Sequence, residues 1–463
     1  MFIEGRLITA MHLPHYFIAD LPPEAVLSPG LIVEACQSLQ RNRQKYLAAR
    51  STQSLVELLC GVAGDWMQPE FRLRRIALEQ GPGETGFSRA TIAKGLDEFF
   101  RRFTPENFHA LLVQELGHVR RLDGIVSTGP EEVHCRAALA LGPGLLVHVA
   151  AGNLPNPAWM SLVLGILTRS AQFMKCASGS SLLPRLFAHS IYEADPKLGA
   201  CLELAEWRGG REDLETALFS GADCVTATGS DETLASIRVQ LSGHTRFLGY
   251  GHRLSFAFVA RGALSRAQGP RVAAGAAADV AAWNQLGCLS PHTFYVQHGG
   301  EVTPERFAEL LAQELIGLEG SEPRGVVPAE TAARIAALRG IYEVRAAHRP
   351  DTRLWMSRDT TAWTVVLENE PLFQLSCLHR FIHVRAVDDI TAALEGADAV
   401  RHQVSTVGVA ASEEQQRELG ALLARWGAAR VCPIGRMQTP PLTWRHDGRP
   451  ALGDLIRWTD VEI

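Results

Sequence analysis

The stretch that decides the fold is residues 145–176, LLVHVAAGNLPNPAWMSLVLGILTRSAQFMKC. It begins with an apolar run of strand length, breaks at a turn rich in glycine, asparagine and proline, and continues as an apolar segment of helix length. A second short strand pattern follows. We therefore predict strands over 145–150 and 171–176, joined by a helix over 158–169. A strand, a helix and a strand in this order form a right-handed βαβ unit with parallel strands.

The same alternation continues towards the C-terminus, whereas the chain before residue 141 has mostly helical spacing. We predict helices over 32–47, 51–67, 88–103 and 110–116, and a turn forced by the glycines and proline of 81–88. Further strands are predicted at 200–204, 223–227, 293–296, 363–368, 381–387 and 403–409. Further helices are predicted at 180–192, 212–219, 231–241, 271–283, 304–318, 329–348, 389–394 and 413–426.

These patterns predict an α/β protein with two parallel-sheet, Rossmann-type domains. We expect a helical region over 1–140 that packs on a nucleotide-binding domain over 141–268. A second α/β domain over 269–435 carries the cysteine described below, and a C-terminal segment covers 436–463.

The composition of the 463 residues is typical of a globular protein, with 46% hydrophobic and 21% charged residues. A net charge of −5 gives no general attraction for nucleic acid or anionic lipid. No apolar run reaches the ~18 residues of a membrane span, and the first ten residues lack the apolar core of a secretory signal. The nine cysteines form no CxxC pair, which argues against a disulfide framework and a zinc site. We therefore expect a cytoplasmic protein without a metal.

One cysteine stands apart from the others. Cys288 lies in WNQLGCLSPH, residues 283–292, after a long alanine-rich helical pattern and before a strand pattern. A turn gives a thiol some exposure, and its backbone N–H groups can hold an oxyanion, so Cys288 is a candidate nucleophile. A small buried hydrophobic residue is the alternative interpretation.

Three turns after predicted strands carry the other candidates. Asn153 lies in GNLPNP, Lys175 ends the strand of 171–176, and Gly229 and Ser230 open the helix of 231–241. Ligands of parallel sheets bind at the carboxyl ends of the strands, and a helix N-terminus favours phosphate. Each feature also has an ordinary explanation: turn chemistry, a lysine that reaches solvent, and a serine N-cap.

The order of these features resembles that of the aldehyde dehydrogenase superfamily. The closer resemblance is to the fatty acyl reductases of bacterial luminescence, and it runs from about residue 50 to the C-terminus. The matching stretches are TGFSRATIAKGLD at 85–97, HVAAGNLP at 148–155, ADCVTATGSDET at 222–233, NQLGC at 284–288, CLSPH at 288–292 and WRHDGRPALGDLIRW at 444–458.

The resemblance implies an aldehyde dehydrogenase-like fold and a covalent mechanism. Cys288 would attack an acyl thioester, and the Asn153 amide with the Cys288 backbone N–H would hold the oxyanion. Thr228, Gly229 and Ser230 would contact the cofactor. The acyl donor would be acyl-CoA or an acyl-protein, with an acyl-protein synthetase or acyl carrier protein as partner. A homo-oligomer, dimer or tetramer, is implied as well.

Departures from the superfamily pattern refine these expectations. The segment that usually carries a water-activating glutamate reads FLGYGHR at 247–253 and has no carboxylate, which favours reduction over hydrolysis. Its Gly251 is expected to contact the cofactor, and His252 is a candidate to assist the cysteine, although it also fits a strand-end histidine. Ser178 stands where a glutamate is usual, and with Lys175 it would accept a 2′-phosphate, so NADPH is expected. The glutamate that usually contacts the nicotinamide ribose has no match in 374–379.

Two other functions remain open. An NAD-dependent aldehyde oxidiser would need the missing glutamate. A non-catalytic acyl-binding or scaffold subunit would need neither Cys288 and Asn153 nor Gly229 and Ser230.

Overall fold

The computed structural model describes residues 13–22 and 24–462. The expectation that there is no secretory signal rests on the first ten residues, which lie outside the described residues. The described N-terminal region is mostly helical and ends in a strand. Its elements are α1 (Pro29–Tyr46), α2 (Thr52–Met67), α3 (Arg72–Thr85), α4 (Arg89–Phe100), α5 (Pro105–Leu116), α6 (Gly129–Val133) and β1 (Arg136–Leu141).

The turn predicted over 81–88 is wrong in its first half, because α3 continues through Gly81 and Pro82 as far as Thr85. Gly81 is buried, and a Cβ there would lie 2.8 Å from Ile92 Cδ1, so close packing against α4 overrides the helix-breaking tendency of both residues. The helix ends at Gly86, whose φ of +74° is the left-handed conformation of a helix C-cap. Ser88 caps the next helix, α4, because its side chain accepts the Thr91 N–H.

The first parallel sheet contains the βαβ unit of residues 145–176. Within the described residues it is five-stranded, in the order β4-β3-β2-β5-β6. Because the strand order reverses between β2 and β5, the loops after these two strands form the ligand crevice of a doubly wound sheet. Its elements are β2 (Leu145–Val149), α7 (Asn156–Leu167), β3 (Ala171–Cys176), α8 (Leu182–Ala194), α9 (Pro196–Gly199), β4 (Leu202–Glu206), α10 (Glu212–Phe219), β5 (Cys224–Thr228), α11 (Asp231–Gln240) and β6 (Arg246–Tyr250).

The second sheet is seven-stranded within the described residues, in the order β13-β12-β7-β8-β11-β10-β9. Its strands pair in parallel except for the edge strand β9, which is antiparallel to β10. Its elements are β7 (Leu254–Val259), α12 (Gly269–Ala281), β8 (Pro291–Gln297), α13 (Pro304–Ser321), α14 (Ala329–His348), β9 (Arg353–Met356), β10 (Thr364–Glu368), β11 (Phe381–Val387), α15 (Ile390–Gly396), β12 (Val404–Ala410), α16 (Glu413–Trp426) and β13 (Arg430–Pro433).

Strand β7 pairs with β8 and β12 and so belongs to the second sheet. The chain therefore passes from the first sheet to the second between residues 250 and 254, whereas we placed the domain boundary between residues 268 and 269. The pattern missed this because FLGYGHRLSFAFV reads as one broken strand, and only the pairing partners separate its two halves. The division into domains stays a prediction.

The two ends of the chain meet in a pair of strands outside both sheets. The last strand, β14 (Arg457–Glu462), runs antiparallel to β1. The largest apolar core joins the N-terminal helices to α7 and α8, and it also contains Trp283 of the second α/β unit and Leu442 and Leu452 of the C-terminal segment. The N-terminal helices therefore pack on the helices of the first sheet, and they also reach the loop before Cys288. The predicted α/β fold class with two parallel sheets is confirmed.

Gly95 of α4 offers a test of this contact. A Cβ at Gly95 would lie 2.0 Å from Trp283 Cζ2, so Gly95→Ala should displace the ring and lower the free energy of unfolding by about 1–3 kcal/mol. The matched control is Gly61→Ala on α2, where nothing lies within 4 Å, and it should raise the free energy of unfolding by about 0.5–1 kcal/mol. Urea unfolding of both variants measures the difference. Equal stability of the two would contradict the packing of Trp283 on α4.

Candidate active site

Cys288 follows a strained turn. Residues 283–285, Trp-Asn-Gln, have φ values of +48°, +52° and +65°, a left-handed conformation that costs free energy in residues with a side chain. Such strain persists only where surrounding contacts hold it. Here the contacts are Asn284 Nδ2 to Arg324 O (2.6 Å), Gln285 Nε2 to Pro291 O (2.8 Å) and Gln285 Nε2 to Phe381 O (3.0 Å).

A second set of contacts fixes the cysteine itself. The Ser255 hydroxyl on β7 donates to the Cys288 carbonyl oxygen at 2.7 Å, and the same hydroxyl accepts the Thr406 N–H of β12 at 3.2 Å. Two residues beyond the cysteine, Ser290 Oγ lies 3.1 Å from Gln438 Nε2. The central strands of the second sheet and the C-terminal segment therefore hold Cys288 in place.

The Cys288 side chain faces an apolar cavity of about 150 Å³. The walls come from α4, α7, the strand ends of the first sheet, the cysteine loop and the C-terminal segment. The lining residues are Phe99, Arg102, Leu154, Asn156, Pro157, Met160, Ser161, Leu164, Thr228, Tyr250, Trp283, Gly287, Cys288, Leu289, Gln438, Pro440, Pro441, Leu442, Trp444, His446 and Ala451. This wall suits an apolar chain attached to a group that reacts at the sulfur.

The same apolar wall keeps the thiol protonated. Although the residue as a whole is partly exposed, burial of the thiol and, to a smaller extent, the Asp447 carboxylate raise the pKa of Cys288 to about 12. Backbone N–H groups and the Arg253 guanidinium act in the opposite direction. Because the thiolate is the nucleophile, the reaction needs a group that takes the proton.

Asn153, in the turn after β2, contacts the cysteine loop but is not among the described residues that line the cavity. Its side chain is exposed, and its Nδ2 donates to the Leu286 carbonyl oxygen at 2.9 Å, two residues before Cys288. Asn156 lies in the wall itself, and its Oδ1 is buried without a hydrogen-bond partner among the described residues. The sequence interpretation missed Asn156, although it is the second asparagine of the same GNLPNP turn.

The turn after β5 lies at the reversal of strand order. Thr228 lines the cavity, the Gly229 N–H donates to Tyr250 O at 3.2 Å, and Ser230 caps α11 by accepting the Thr233 N–H at 3.3 Å. The structure therefore brings Thr228 to the Cys288 cavity and places Gly229 and Ser230 beside it.

Gly251 lies against the start of the same helix. A Cβ at Gly251 would lie 2.5 Å from Asp231 Oδ1 of α11, so only glycine fits this approach without displacing the aspartate. Its neighbour His252 is exposed and is absent from the residues described as lining the cavity. The structure thus does not bring His252 to Cys288.

Lys175 lies at the end of β3 and Ser178 just beyond it, beside the end of β4, and neither lines the Cys288 cavity. Lys175 is buried beside Trp207, with Nζ 5.9 Å from the ring centroid, and burial lowers the pKa of the lysine. Ser178 is exposed, and the next N–H, that of Gly179, donates to Glu206 Oε1 at 2.7 Å. The sequence interpretation missed Glu206 and Trp207, because Glu206 ends a strand that the pattern ended two residues early, and Trp207 follows that strand.

Metal-binding clusters and membrane-spanning helices are the two remaining features to consider in the described residues. Over residues 13–22 and 24–462, no group of three or more His, Cys, Asp and Glu side chains is placed to hold a metal ion. In that same part, no helix has both the length and the apolar character needed to cross a bilayer.

Solved structures share this fold at low sequence identity. An NAD-dependent benzaldehyde dehydrogenase from Corynebacterium glutamicum superposes with a TM-score of 0.67 at 14% identity, covering 94% of this chain and 91% of that one. An NADP-dependent glyceraldehyde-3-phosphate dehydrogenase from Bacillus halodurans gives 0.67 at 13%, covering 94% and 92%. A bifunctional proline utilization A protein gives 0.70 at 16%, and this chain covers 45% of it. These similarities establish the aldehyde dehydrogenase-like fold.

Curated relatives point to one family within that fold. A long-chain acyl-protein thioester reductase from Aliivibrio fischeri is 23% identical over 436 residues, 88% of this chain and 82% of the relative. The Vibrio harveyi protein of the same name is 22% identical over 425 residues, 90% and 84%. The family model described as acyl-CoA reductase (LuxC) matches residues 47–458. The resemblance expected from about residue 50 onward is thereby confirmed, and the chain belongs to the acyl-CoA reductase (LuxC) family.

Proposed function

We propose that this enzyme reduces a fatty acyl thioester to the aldehyde with NADPH, through an acyl group carried on Cys288. One observation carries the proposal: the candidate nucleophile faces an apolar cavity whose wall also contains Thr228 and Tyr250, at the strand ends of the first sheet. An acyl chain in the cavity and a cofactor at those strand ends would meet at the sulfur.

The first step is acyl transfer to the cysteine. Sγ of Cys288 attacks the thioester carbonyl carbon, the thiol proton leaves, and the carbon–sulfur bond to the donor breaks to release a free thiol. The Cys288 backbone N–H and the Asn153 side-chain amide hold the negative oxygen of the tetrahedral intermediate. For this role, Asn153 Nδ2 exchanges its present acceptor, the Leu286 carbonyl, for the new oxygen.

The residues at the crevice fit a nicotinamide dinucleotide. Thr228, Gly229 and Ser230 lie where the strand order reverses, Gly251 lies against the start of α11, and the helix N-terminus there suits a pyrophosphate. Further along the same edge, the buried Trp207 Nε1 has no hydrogen-bond partner among the described residues and is free to bond a ligand. When bound, the reduced cofactor supplies the hydride that converts the acyl group to an aldehyde.

Hydrolysis of the acyl group is disfavoured by the composition of the cavity wall. No Asp or Glu is present among the described residues that line it, so a carboxylate base that would activate water is missing at the sulfur. This supports reduction over the NAD-dependent oxidation of aldehydes. The buried nucleophile, together with the contacts that hold its strained loop, likewise supports an enzyme over a scaffold subunit.

The donor and the setting are also part of the proposal. The names of the relatives favour an acyl-protein or acyl-CoA donor, delivered by an acyl-protein synthetase or an acyl carrier protein. We further propose that the enzyme is cytoplasmic and forms a homo-oligomer.

The direct test is NADPH oxidation with acyl-CoA substrates of graded chain length. The wild type should form aldehyde, and Cys288→Ala should form none, because the acyl group then has no covalent attachment. Cys135→Ala, at an exposed cysteine, is the matched control and should keep wild-type activity. Aldehyde formation by Cys288→Ala would contradict the covalent route.

The oxyanion donor can be assigned by two asparagine variants. Asn153→Ala should lower kcat by about 10²–10³-fold, the usual loss for one oxyanion-hole donor. Asn156→Ala should lower kcat by less than about tenfold, because its amide contributes to the wall rather than to the cysteine loop. The reverse order of the two losses would assign the oxyanion to Asn156.

The preference for NADPH can be tested at the ends of β3 and β4. Lys175→Met should lower kcat/KM for NADPH by about 10–100-fold and leave kcat/KM for NADH nearly unchanged, since only NADPH has a 2′-phosphate for the lysine to bind. Glu206→Gln should act in the opposite direction by removing a carboxylate close to Ser178. Equal losses with both cofactors for Lys175→Met would show that the lysine does not select the phosphate.

A further inference from the structure

The Cys288 cavity contains one side chain able to take the thiol proton. Of the described residues in its wall, Arg102, Tyr250, Cys288 and His446 are titratable. An arginine stays protonated at neutral pH, and burial raises the pKa of Tyr250 to about 12, so its phenol also keeps its proton. His446 is therefore the remaining acceptor.

The imidazole of His446 is held between two aromatic rings. It stacks on Tyr250, with ring centroids 4.6 Å apart and planes 11° apart, and it lies 4.7 Å from the Trp444 ring. Its Nε2 is 3.9 Å from Asp447 Oδ1, beyond hydrogen-bond distance. Neither ring nitrogen has a hydrogen-bond partner in the part of the chain that the structure describes, so a nitrogen is free to receive a proton.

A chain of hydrogen bonds anchors the histidine and the cysteine to adjacent residues of β12. Ser405 Oγ donates to the Asp447 carboxylate, next to the histidine in sequence, at 3.3 Å. The following residue, Thr406, donates its N–H to Ser255 Oγ, and that hydroxyl donates to the Cys288 carbonyl. Asp447 itself has a left-handed φ of +53° and a side chain that is 3% exposed. The turn of residues 446–448, His-Asp-Gly, is thus fixed relative to Cys288.

The charges around the histidine leave it neutral at neutral pH. Burial is the largest cause that lowers the pKa of His446; Asp447 raises it, and Arg253 and Arg449 lower it. Arg253 is itself paired with the Asp447 carboxylate at 3.1 Å. Arg449 lies over the face of Tyr250, 5.1 Å from its centroid. A neutral imidazole is the form that accepts a proton.

We infer that His446 is a catalytic residue, the general base that accepts the thiol proton as Cys288 Sγ attacks the acyl carbon. The inference rests on the proposed function. The proton then passes to the departing thiolate, so that a thiol and an acyl thioester of the donor become an acyl-Cys288 and a free donor thiol. The bond formed is Sγ to carbon, the bond broken is carbon to donor sulfur, and no electrons are gained or lost.

Alkylation of Cys288 by iodoacetamide tests the inference without an acyl substrate or cofactor. Cys288 of His446→Gln should be alkylated about 10²-fold more slowly than Cys288 of the wild type. In the wild type, protonation of the imidazole should slow alkylation towards acid pH, and this slowing should be absent in His446→Gln. His244→Gln, at an exposed histidine in the loop before β6, is the matched control and should behave as the wild type.

A purely structural role of the histidine gives a different result. Added imidazole should restore much of the alkylation rate of His446→Ala, whose smaller side chain leaves room between the rings, and the rescue should follow the fraction of imidazole that is neutral; rescue independent of that fraction would mean that the ring only filled space. Thermal unfolding of both variants checks that they fold. Alkylation of His446→Gln within about threefold of the wild type, with an unchanged pH profile, would overturn the inference.

Acylation, followed by intact mass, separates this inference from the proposed function. Acylation by myristoyl-CoA that is slow in His446→Gln and fast in the wild type supports both. If alkylation of His446→Gln is slow but no thioester acylates the wild type, the role of His446 as the base is supported and the acyl-transfer proposal is overturned. If both proteins are acylated equally fast, the role of His446 as the base is overturned and the proposed function is supported.

Discussion

The left-handed turn of residues 283–285 is the constraint on which the active site depends. Three successive residues with side chains adopt positive φ there, and hydrogen bonds from Asn284 and Gln285 to three carbonyls, together with the packing of Trp283 on α4, hold them in place. These carbonyls belong to the β8 strand start, the β11 strand start and the segment after α13. The position of Cys288 is therefore a property of the whole second sheet. The strain is consistent with a functional site, because a loop without a function to fulfil would relax.

The cavity creates a conflict that the site has to resolve. Walls from the N-terminal helices and the C-terminal segment bury the thiol, and their apolar character suits the acyl chain of the proposed substrate. The same burial raises the pKa of Cys288 to about 12, so the proposed nucleophile is held in its less reactive thiol form. Two features of the chain address this conflict: backbone N–H groups around the cysteine, and the neutral imidazole of His446 in the same wall. The apolar cavity and the proton acceptor thus depend on each other.

Sequence patterns predicted the parallel strands well, because buried strands such as AQFMKC are continuous apolar runs between turns. They failed where contacts between distant parts of the chain determine the local structure or the pairing. Helix α3 runs through Gly81 and Pro82, strand β7 belongs to the second sheet, and β1 near the N-terminal side pairs with β14 at the other end of the chain. At the site, the cysteine and the strand-end residues were visible in the sequence. The sequence did not indicate a role for Asn156, Glu206 or His446. Their importance depends on which cavity or loop they face, and spacing along the chain carries no such information.

The account depends most directly on an acyl group residing on Cys288. The decisive measurement uses the wild-type enzyme with a radiolabelled long-chain acyl thioester and no cofactor, followed by peptide mapping and an NADPH chase. The account predicts label on the peptide that contains Cys288, slow loss of that label in water, and rapid conversion to labelled aldehyde when NADPH is added. Label on another cysteine, or release mainly as the fatty acid during the chase, would contradict it.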